Sequence, residues 1–269
     1  MIMEFIILGS GGATPIPRPL CQCSICRRAR KGIGKRNHCS AFLTKANFLF
    51  DCGEDIKESL NRENIKRIDT LFLTHWHPDH SFGLREVLEA NYDFRREKAA
   101  RVITIYIARR VFDQLKHNFP AILHWVKDKK LARIKFLEHG QRVKAKGATI
   151  TAIGFTGKNA STYGFLIEAK KRLFYAPCDT IQLRERFIPK NIDILVHELG
   201  IFSYGLLKTE ISFPDMIKRI ERINPEKAIL THIEEVELKA HGEYKLKEIE
   251  RKYKQLHLKI AFDGLRIRI

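Results

Sequence analysis

The feature that most constrains this chain is a dense run of metal-ligand side chains after a predicted strand. Residues 74–80 read THWHPDH and directly follow the apolar segment 69–73. Loops at strand ends are where active-site groups commonly project. Imidazole and carboxylate groups suit transition metals such as Zn, Mn and Fe. The segment therefore predicts a metal centre with the ligands His75, His77, Asp79 and His80.

The spacing within this segment suits two ions. His75 and His77 are two residues apart and can face one ion together. Pro78 fixes one backbone angle and helps to turn Asp79 and His80 toward a second ion. The alternative is a solvated, histidine-rich loop, and the density of ligand-type residues argues against it.

Apolar runs alternate with helix-like segments along the chain, which predicts an α/β fold. Buried strands are predicted at residues 5–8, 48–50, 70–73, 102–107, 165–167, 173–175, 192–196 and 228–230. Helical periodicity covers residues 54–64, 82–93, 111–119, 214–223 and 243–256. Residues 260–267 are typical of two strands joined by an Asp-Gly turn. Because no long linker divides the chain, residues 1–269 are predicted to form one αββα sandwich, two sheets face to face with helices outside.

The composition argues against a membrane-spanning helix, and it does not decide which molecule the protein binds. The chain is 44% hydrophobic, and no run approaches the ~20 apolar residues of a transmembrane helix. Residues 1–8 lack the basic region of a signal peptide, which favours a cytoplasmic location. The net charge of +18 attracts anions, so it fits a phosphate-bearing substrate, although it also fits a Lys-rich soluble surface. The basic residues are spread along the chain, which weakens the case for an RNA-binding extension.

Three cysteines crowd into a polar, basic stretch at Cys21, Cys23 and Cys26. In a chain without an export signal, such clustering indicates metal binding rather than disulfides. Structural zinc takes four tetrahedral ligands, mostly Cys and His. Residues 21–39 are therefore predicted to form a loop around one structural zinc ion.

The histidine motif resembles the signature of the metallo-β-lactamase superfamily, and the likeness covers nearly the whole chain. Within that superfamily the chain is similar to the PhnP-like branch, which contains the cyclic phosphodiesterase of bacterial phosphonate degradation. The likeness to this branch rests on the cysteines and on residues 9–13, 39–40, 51–53 and 262–264. The resemblance implies an αββα fold, divalent metal ions and hydrolysis.

The resemblance also implies ligands after two later strands. Asp179 takes the place of the carboxylate that bridges two ions, and His232 takes the place of a late histidine. A turn or cap is the alternative for Asp179, and a surface position is the alternative for His232. The fourth ligand of the zinc loop falls on Glu235, where the branch has a histidine. The competitors for that role are Cys39, His38 and His241.

One family ligand is missing from this chain. The family has a histidine before the strand that here contains residues 163–166, and the matching position is Lys158. An ammonium group has no lone pair for a metal. Three outcomes stay open: a single ion held by Asp79, His80, Asp179 and His232, a substitute ligand such as His197, or contact between Lys158 and substrate phosphate. A solvated loop lysine is the fourth reading of Lys158.

His197 is a candidate general acid because it ends a predicted strand near the site. It could protonate a leaving alkoxide. The branch carries its histidine a few residues later, where this chain has Gly200. A hydrogen-bonded structural histidine is the alternative.

Together these features predict a metal-dependent phosphodiesterase with one or two divalent Zn, Mn or Fe ions and a phosphate-bearing small-molecule substrate. Only the resemblance suggests cyclic nucleotides or cyclic ribose phosphates. A homodimer and an RNA partner are left open. One alternative is a tRNA- or RNA-processing nuclease. Another is a metal-poor, non-catalytic member that binds an anion or nucleic acid, and Lys158 favours it.

Overall fold

Two seven-stranded mixed sheets organise the chain, and the computed structural model describes residues 2–202 and 210–269. The strands are β1 (Glu4–Gly9), β2 (Ser40–Leu43), β3 (Phe48–Phe50), β4 (Thr70–Phe72), β5 (Tyr92–Asp93), β6 (Lys98–Ala99), β7 (Ile103–Ala108), β8 (Ala132–Leu137), β9 (Arg142–Ala145), β10 (Ala148–Gly154), β11 (Tyr163–Glu168), β12 (Arg172–Ala176), β13 (Ile194–Glu198), β14 (Lys227–Thr231), β15 (Leu258–Ile260) and β16 (Leu265–Arg268). The α-helices are α1 (Ser24–Arg30), α2 (Ile56–Arg62), α3 (Pro78–Ser81), α4 (Leu84–Glu89), α5 (Arg109–Asn118), α6 (Phe213–Ile223), α7 (Glu235–His241) and α8 (Tyr244–Lys252). Within the described ranges, no helix has the length and apolar character needed to cross a bilayer.

The two large sheets share one pairing pattern. The first has the order β16-β1-β2-β3-β4-β7-β8, and the second has the order β9-β10-β11-β12-β13-β14-β15. In each order the first three pairings are antiparallel and the last three are parallel. Parallel neighbours need crossover connections, and α2, α5 and α6 lie in three of these.

Aromatic side chains fill the space between the sheets. The ring centroid of Phe165 lies 5.6 Å from that of Phe50 and 5.3 Å from that of Phe72. The rings of Phe5 and Tyr175 are 5.4 Å apart. Buried residues of α2, α4 and α5 join this core from one side, and those of α6, α7 and α8 join a second apolar cluster on the other. The predicted αββα sandwich is therefore confirmed.

The predicted metal ligands follow the ends of parallel strands in both sheets. β4 ends at Phe72, just before the histidine motif. In the second sheet, β12 ends at Ala176 before Asp179, and β14 ends at Thr231 before His232. Side chains from both sheets can therefore meet at this edge of the sandwich.

The C-terminal strands are present as predicted, but they do not form a hairpin. β15 pairs with β14 in the second sheet, whereas β16 pairs with β1 in the first. Between them, Asp263 accepts hydrogen bonds from the backbone of Ser10 at 2.9 Å and of Asn37 at 2.8 Å. These bonds tie the connection to the first sheet, so the Asp-Gly segment carries the chain from one sheet to the other.

Candidate metal centre

The first group of ligands lies where β4 runs into α3. Pro78 opens this short helix, a position at which its missing N–H is not needed. His75 Nε2 lies 2.9 Å from His77 Nδ1. A carboxylate oxygen of Asp179 joins them, with all three ligand atoms within 4.8 Å of one another. This group can hold one ion.

The second group consists of Asp79, His80 and His232, all buried. Asp79 Oδ2 is 3.1 Å from His80 Nε2 and 3.4 Å from His232 Nε2. The two Nε2 atoms are 3.3 Å apart. We call the six residues of both groups the histidine cluster: His75, His77, Asp79, His80, Asp179 and His232.

Each buried imidazole of this cluster has a side-chain oxygen near its other nitrogen, hydrogen-bonded at His75 and His80 and at ion-pair distance at His232. The Nδ1 atoms lie close to side-chain oxygens, at 2.9 Å between His75 and Thr74, 2.9 Å between His80 and Asp51, and 3.2 Å between His232 and Glu234. Such partners fix the tautomer and the ring orientation of metal-binding histidines. Nε2 is thereby left as the ligand atom of each ring.

This arrangement fits a divalent cation. If Nδ1 of His80 and of His232 donates to its carboxylate partner, both Nε2 atoms present lone pairs to each other and to Asp79. Collecting lone pairs and negative charge in a buried space costs free energy unless a cation balances them. Imidazole and carboxylate are the donor set of Zn, Mn and Fe sites.

The two groups attract positive charge unequally. Burial, together with His80 and His77, holds the pKa of His75 well below its usual value. Burial acts on His80 in the same direction, but Asp79 and Asp51 outweigh it and raise the pKa of His80 well above its usual value. Burial is likewise outweighed at Asp79, whose pKa His80 and His232 hold well below its usual range. We call the group that contains Asp79 the stronger group and the group that contains His75 the weaker group, because the buried His80 attracts a proton more strongly than the buried His75 does.

Two glycines make room for groups at the cluster, namely the carboxylate of Glu234 and the backbone of Asp79. A Cβ atom at Gly12 would overlap the carboxylate of Glu234, which would have to shift from its place beside His232. A Cβ atom at Gly53 would overlap the backbone oxygen of Asp79. Both glycines lie in the segments on which the resemblance rests, so those segments have a physical role in shaping the site.

Asp179 reaches the cluster from a left-handed backbone conformation with φ of 54°. Thr162 donates a hydrogen bond to Asp179 Oδ2 at 3.0 Å. The next residue, Thr180, donates its backbone N–H to the buried carboxyl of Glu198. Burial and Glu210 raise the pKa of Glu198 well above its usual value.

His197 lies beneath this turn with both ring nitrogens engaged. Its Nδ1 donates to the carbonyl of Glu198 at 2.8 Å, and Arg219 donates to its Nε2 at 3.3 Å. Burial and the charge of Arg219 lower the pKa of His197 to about 3. The single N–H of this neutral imidazole is bound to a carbonyl, and its other nitrogen accepts from Arg219. No proton is therefore free for a leaving group, and these contacts favour the structural alternative over the general acid.

Lys158 lies on an exposed loop, and its carbonyl accepts a hydrogen bond from Tyr163 at 3.2 Å. The residue lines an open groove of about 660 Å³, together with Arg109, Arg110 and Asn159. His75 and His77 meanwhile have Asp179 as their third partner. The exposure of Lys158 therefore suits contact with an anion better than replacement of a buried ligand.

Sequence reasoning assigned no role to Cys178, which is buried beside the cluster. Its Sγ lies 3.9 Å from His75 Nε2 and forms one potential ligand group with His75 and His80. It forms another with His232 and Glu210. Burial raises the pKa of the Cys178 thiol to about 12. Asp51 and Glu234 were missed as well, because nothing in the local pattern marks a residue that orients a histidine from a distance.

A second potential metal site brings together four residues that we call the cysteine cluster: Cys21, Cys23, Cys26 and Glu235. The Sγ atoms of Cys21 and Cys26 each lie 3.7 Å from Glu235 Oε1. Cys23 Sγ accepts a hydrogen bond from the backbone N–H of Cys26 at 3.4 Å, which lowers the pKa of Cys23. Burial raises the pKa of Cys26 to about 12.

The three competitors for the fourth position have other partners. His38 Nδ1 lies 3.2 Å from Asp55, Cys39 Sγ lies 3.5 Å from the Thr231 hydroxyl, and His241 Nε2 lies 3.7 Å from Glu237. The geometry thus places Glu235, and none of these three, with the cysteines.

The sandwich and the histidine cluster define a protein of the metallo-β-lactamase type. Residues 46–233 match the family model described as the β-lactamase superfamily domain. That span is well over half of the chain, and the chain belongs to this family.

Curated relatives match smaller parts of the chain. Ribonuclease Z of Treponema denticola is 34% identical over 107 residues, which are 38% of this chain and 29% of that protein. The octanoyltransferase of Porphyromonas gingivalis is 29% identical over 126 residues, 46% of this chain and 23% of that protein. The matched part thus spans less than a third of either relative.

Solved structures share the fold over nearly the full length. A diphosphatase from the PhnP family superposes with a TM-score of 0.77 at 20% identity, covering 100% of this chain and 98% of that one. Zinc-bound PqqB of Methylobacterium extorquens gives a TM-score of 0.76 at 18% identity, with 99% and 100% coverage. The short form of human tRNase Z gives 0.61 at 19% identity, with 99% coverage of each chain.

Proposed function

We propose that this protein is a metal-dependent phosphodiesterase. The observation that carries the proposal is the convergence of two ligand groups, with His80 Nε2 and His232 Nε2 3.3 Å apart and a carboxylate beside the Nδ1 atom of each ring. Membership of the β-lactamase superfamily and the fold shared with a PhnP-family diphosphatase support it.

The two groups of the histidine cluster would each hold one divalent ion. Such ions supply Lewis-acid charge to a phosphoryl oxygen and activate water as a nucleophile near neutral pH. Asp51 and Glu234 keep the imidazoles of the stronger group turned toward the ion. Asp179 carries its carboxylate to the weaker group, where the family's third histidine is missing.

The open groove that contains Lys158 offers cationic side chains to an anionic substrate, beside the acidic Asp113 and Glu138. Arg109, Arg110 and Lys158 line it, and the chain as a whole carries a net charge of +18. Tyr163 lines the groove and also donates its backbone N–H to the carbonyl of Thr74, next to His75. This backbone contact links the groove to the segment that carries His75, although no residue of the histidine cluster lines the groove itself.

An RNA-processing nuclease is the second candidate, because ribonuclease Z is among the curated relatives. In the described residues, the excursion between β4 and β7 consists of α3, α4 and the short β5–β6 pair. That excursion is small for an arm that grips a folded RNA. This favours a small phosphodiester over an RNA precursor.

The test compares three substrates: bis-p-nitrophenyl phosphate, a 2′,3′-cyclic nucleotide and an unprocessed tRNA. Each is offered to protein loaded with Zn²⁺, Mn²⁺ or Fe²⁺. We expect the two small phosphodiesters to be hydrolysed, His80→Ala to abolish the reaction, and His124→Ala, at an exposed histidine, to keep it.

Cleavage of the tRNA alone would replace the small-molecule assignment with the nuclease. Failure of all three substrates with every metal would overturn the proposal. Activity that survives His80→Ala would show that the histidine cluster is not where the reaction occurs.

A further inference from the structure

Cys178 and Asp179 are consecutive residues, yet both side chains face the histidine cluster. Neighbouring residues of an extended strand point to opposite faces. Here the strand β12 has ended at Ala176, and the left-handed conformation of Asp179 breaks the alternation. The turn therefore presents a thiol and a carboxylate to the same space.

The position of the sulfur suits a metal ligand. At a tetrahedral zinc site with Zn–S of about 2.3 Å and Zn–N of about 2.0 Å, the sulfur and the nitrogen are roughly 3.6 Å apart. Cys178 Sγ lies 3.9 Å from His75 Nε2, in one ligand group, and within 4.8 Å of ligand atoms of His80 and His232, in the other. The sulfur lies between the two groups.

The surroundings of Cys178 differ from those of a cysteine that only fills space. Buried Cys52 belongs to the apolar core between the sheets. Cys178 is equally buried, but its neighbours are the imidazoles of His75, His80 and His232 and the carboxylate of Asp179. Apolar packing does not account for a thiol in such a setting.

We propose that Cys178 is a metal ligand shared by the two groups of the histidine cluster, and that it selects zinc over manganese. This inference rests on the proposed metal centre. On binding, the S–H bond breaks, a sulfur–metal bond forms and the proton leaves to solvent. A soft thiolate favours Zn²⁺, whereas carboxylate and water suit Mn²⁺. The thiolate also gives the weaker group a fourth protein ligand in place of the missing histidine.

The experiment compares wild type, Cys178→Ser and Cys39→Ser, each stripped of metal and reloaded with Co²⁺. Cys39 is a matched control because it is buried but belongs to neither cluster. Thiolates bound to Co²⁺ absorb in the near ultraviolet, and the cysteine cluster contributes three of them. We expect Cys178→Ser to remove about a quarter of this absorbance, since a coordinated thiol is deprotonated, and Cys39→Ser to remove none. Under Zn²⁺ and Mn²⁺ competition, Cys178→Ser should shift the bound ratio toward Mn²⁺ by about tenfold.

An unchanged cobalt spectrum together with an unchanged Zn/Mn ratio in Cys178→Ser would overturn the inference, even in an active phosphodiesterase. Conversely, a Cys178-dependent band in a protein inactive on every phosphodiester would support the ligand and refute the proposed function. If Cys178→Ser does not fold, ¹¹³Cd NMR of the wild type decides. We expect thiolate-shifted signals beyond the one from the cysteine cluster, and a single such signal would contradict the proposal.

Discussion

The histidine cluster draws its ligands from three separate stretches of chain, whereas the cysteine cluster takes three of its four from one loop. The histidine cluster lies where strands of both sheets end. The side chains of Thr74, Asp51 and Glu234 lie beside its buried imidazole rings. The cysteine cluster joins the start of helix α1, which lies within the predicted loop, to Glu235, three residues after His232. One segment, residues 232–235, thus serves both.

The difference matters for what each cluster can do. Three thiols and a carboxylate complete a tetrahedral zinc site, which suits a structural role. The groups of the histidine cluster offer three imidazole or carboxylate ligands each. With Cys178 as a shared fourth ligand, water or substrate would enter as a fifth ligand, an expansion that catalytic zinc accommodates. We therefore expect damage to the histidine cluster to affect turnover first, and damage to the cysteine cluster to affect stability first.

The largest effect should follow from Asp79→Ala or His77→Ala. Each removes a ligand, and several kcal/mol of charge stabilisation correspond to about 10³-fold or more in rate. The melting temperature of His77→Ala should change little, because this half-buried side chain adds little to the apolar core, whereas Asp79→Ala should also lower it by breaking the buried ion pair with His80. Turnover of bis-p-nitrophenyl phosphate and calorimetry check both parts. Wild-type turnover in His77→Ala would contradict the assignment of the cluster.

Cys23→Ser should lower stability and leave turnover largely unchanged. The variant should lose one zinc per chain and about 3 kcal/mol of metal-linked stability, which lowers the melting temperature by roughly 6–10 °C. Metal in the histidine cluster and turnover should persist. Elemental analysis and calorimetry are the measurements, with Cys39→Ser as the control. An unchanged zinc content would show that the cysteines do not hold a metal.

The free energy of unfolding should depend on pH through His197, which is buried near the turn that carries Asp179. His197 has a pKa of about 3 when folded, against 6.5 when exposed. The unfolded chain therefore binds a proton that the folded protein excludes, so stability present above pH 6.5 is lost as the pH falls toward 3. His197→Gln keeps an acceptor for Arg219 and removes the titration. Between pH 6.5 and pH 5, the free energy of unfolding should fall by about 2 kcal/mol less in His197→Gln than in the wild type.

Denaturant unfolding of His197→Gln at several pH values, beside wild type, measures this difference. His124→Gln is the control, because an exposed histidine should leave the acid limb unchanged. Parallel curves for wild type and His197→Gln would mean that His197 is protonated in the folded protein and retains the option of a general acid.

Lys158→Ala should have the smallest effect. Metal content should stay the same, because Asp179 and not Lys158 accompanies His75 and His77. Loss of an exposed charge contact with phosphate costs up to about 1 kcal/mol, or about fivefold in KM, with kcat preserved. Steady-state kinetics and elemental analysis check this. A rise in bound metal in Lys158→His would instead support the reading in which Lys158 occupies a vacant ligand position.

The elements and ligands that sequence reasoning found are those with local signals. The apolar run 48–50 coincides with β3, and the histidine motif follows β4 directly. Strands such as β8 and β9 went unpredicted because they lie at sheet edges and alternate apolar with charged residues, as in ARIKFL and RVKA. An edge strand buries too little to show as a continuous apolar run.

Supporting groups could not be predicted for a different reason. Asp51 approaches His80 across 29 positions, and Cys178 approaches His75 across 103. Such roles arise from the packing of the two sheets, and the adjacent sequence carries no mark of them. His197 shows the opposite error. Its position at a strand end suggested a general acid, but Arg219 on α6 donates a hydrogen bond to its ring.

The pairing of β16 with β1 has a consequence for synthesis. Residues 265–268 are synthesised long after β1, yet they cover the outer edge of that strand. Until then, β1 has an unpaired edge and an apolar sequence, FIILG after Glu4, which are the properties of an aggregation-prone nascent segment. Completion of the first sheet therefore waits for β16, and β1 would need the protection of a chaperone most until β16 has been made.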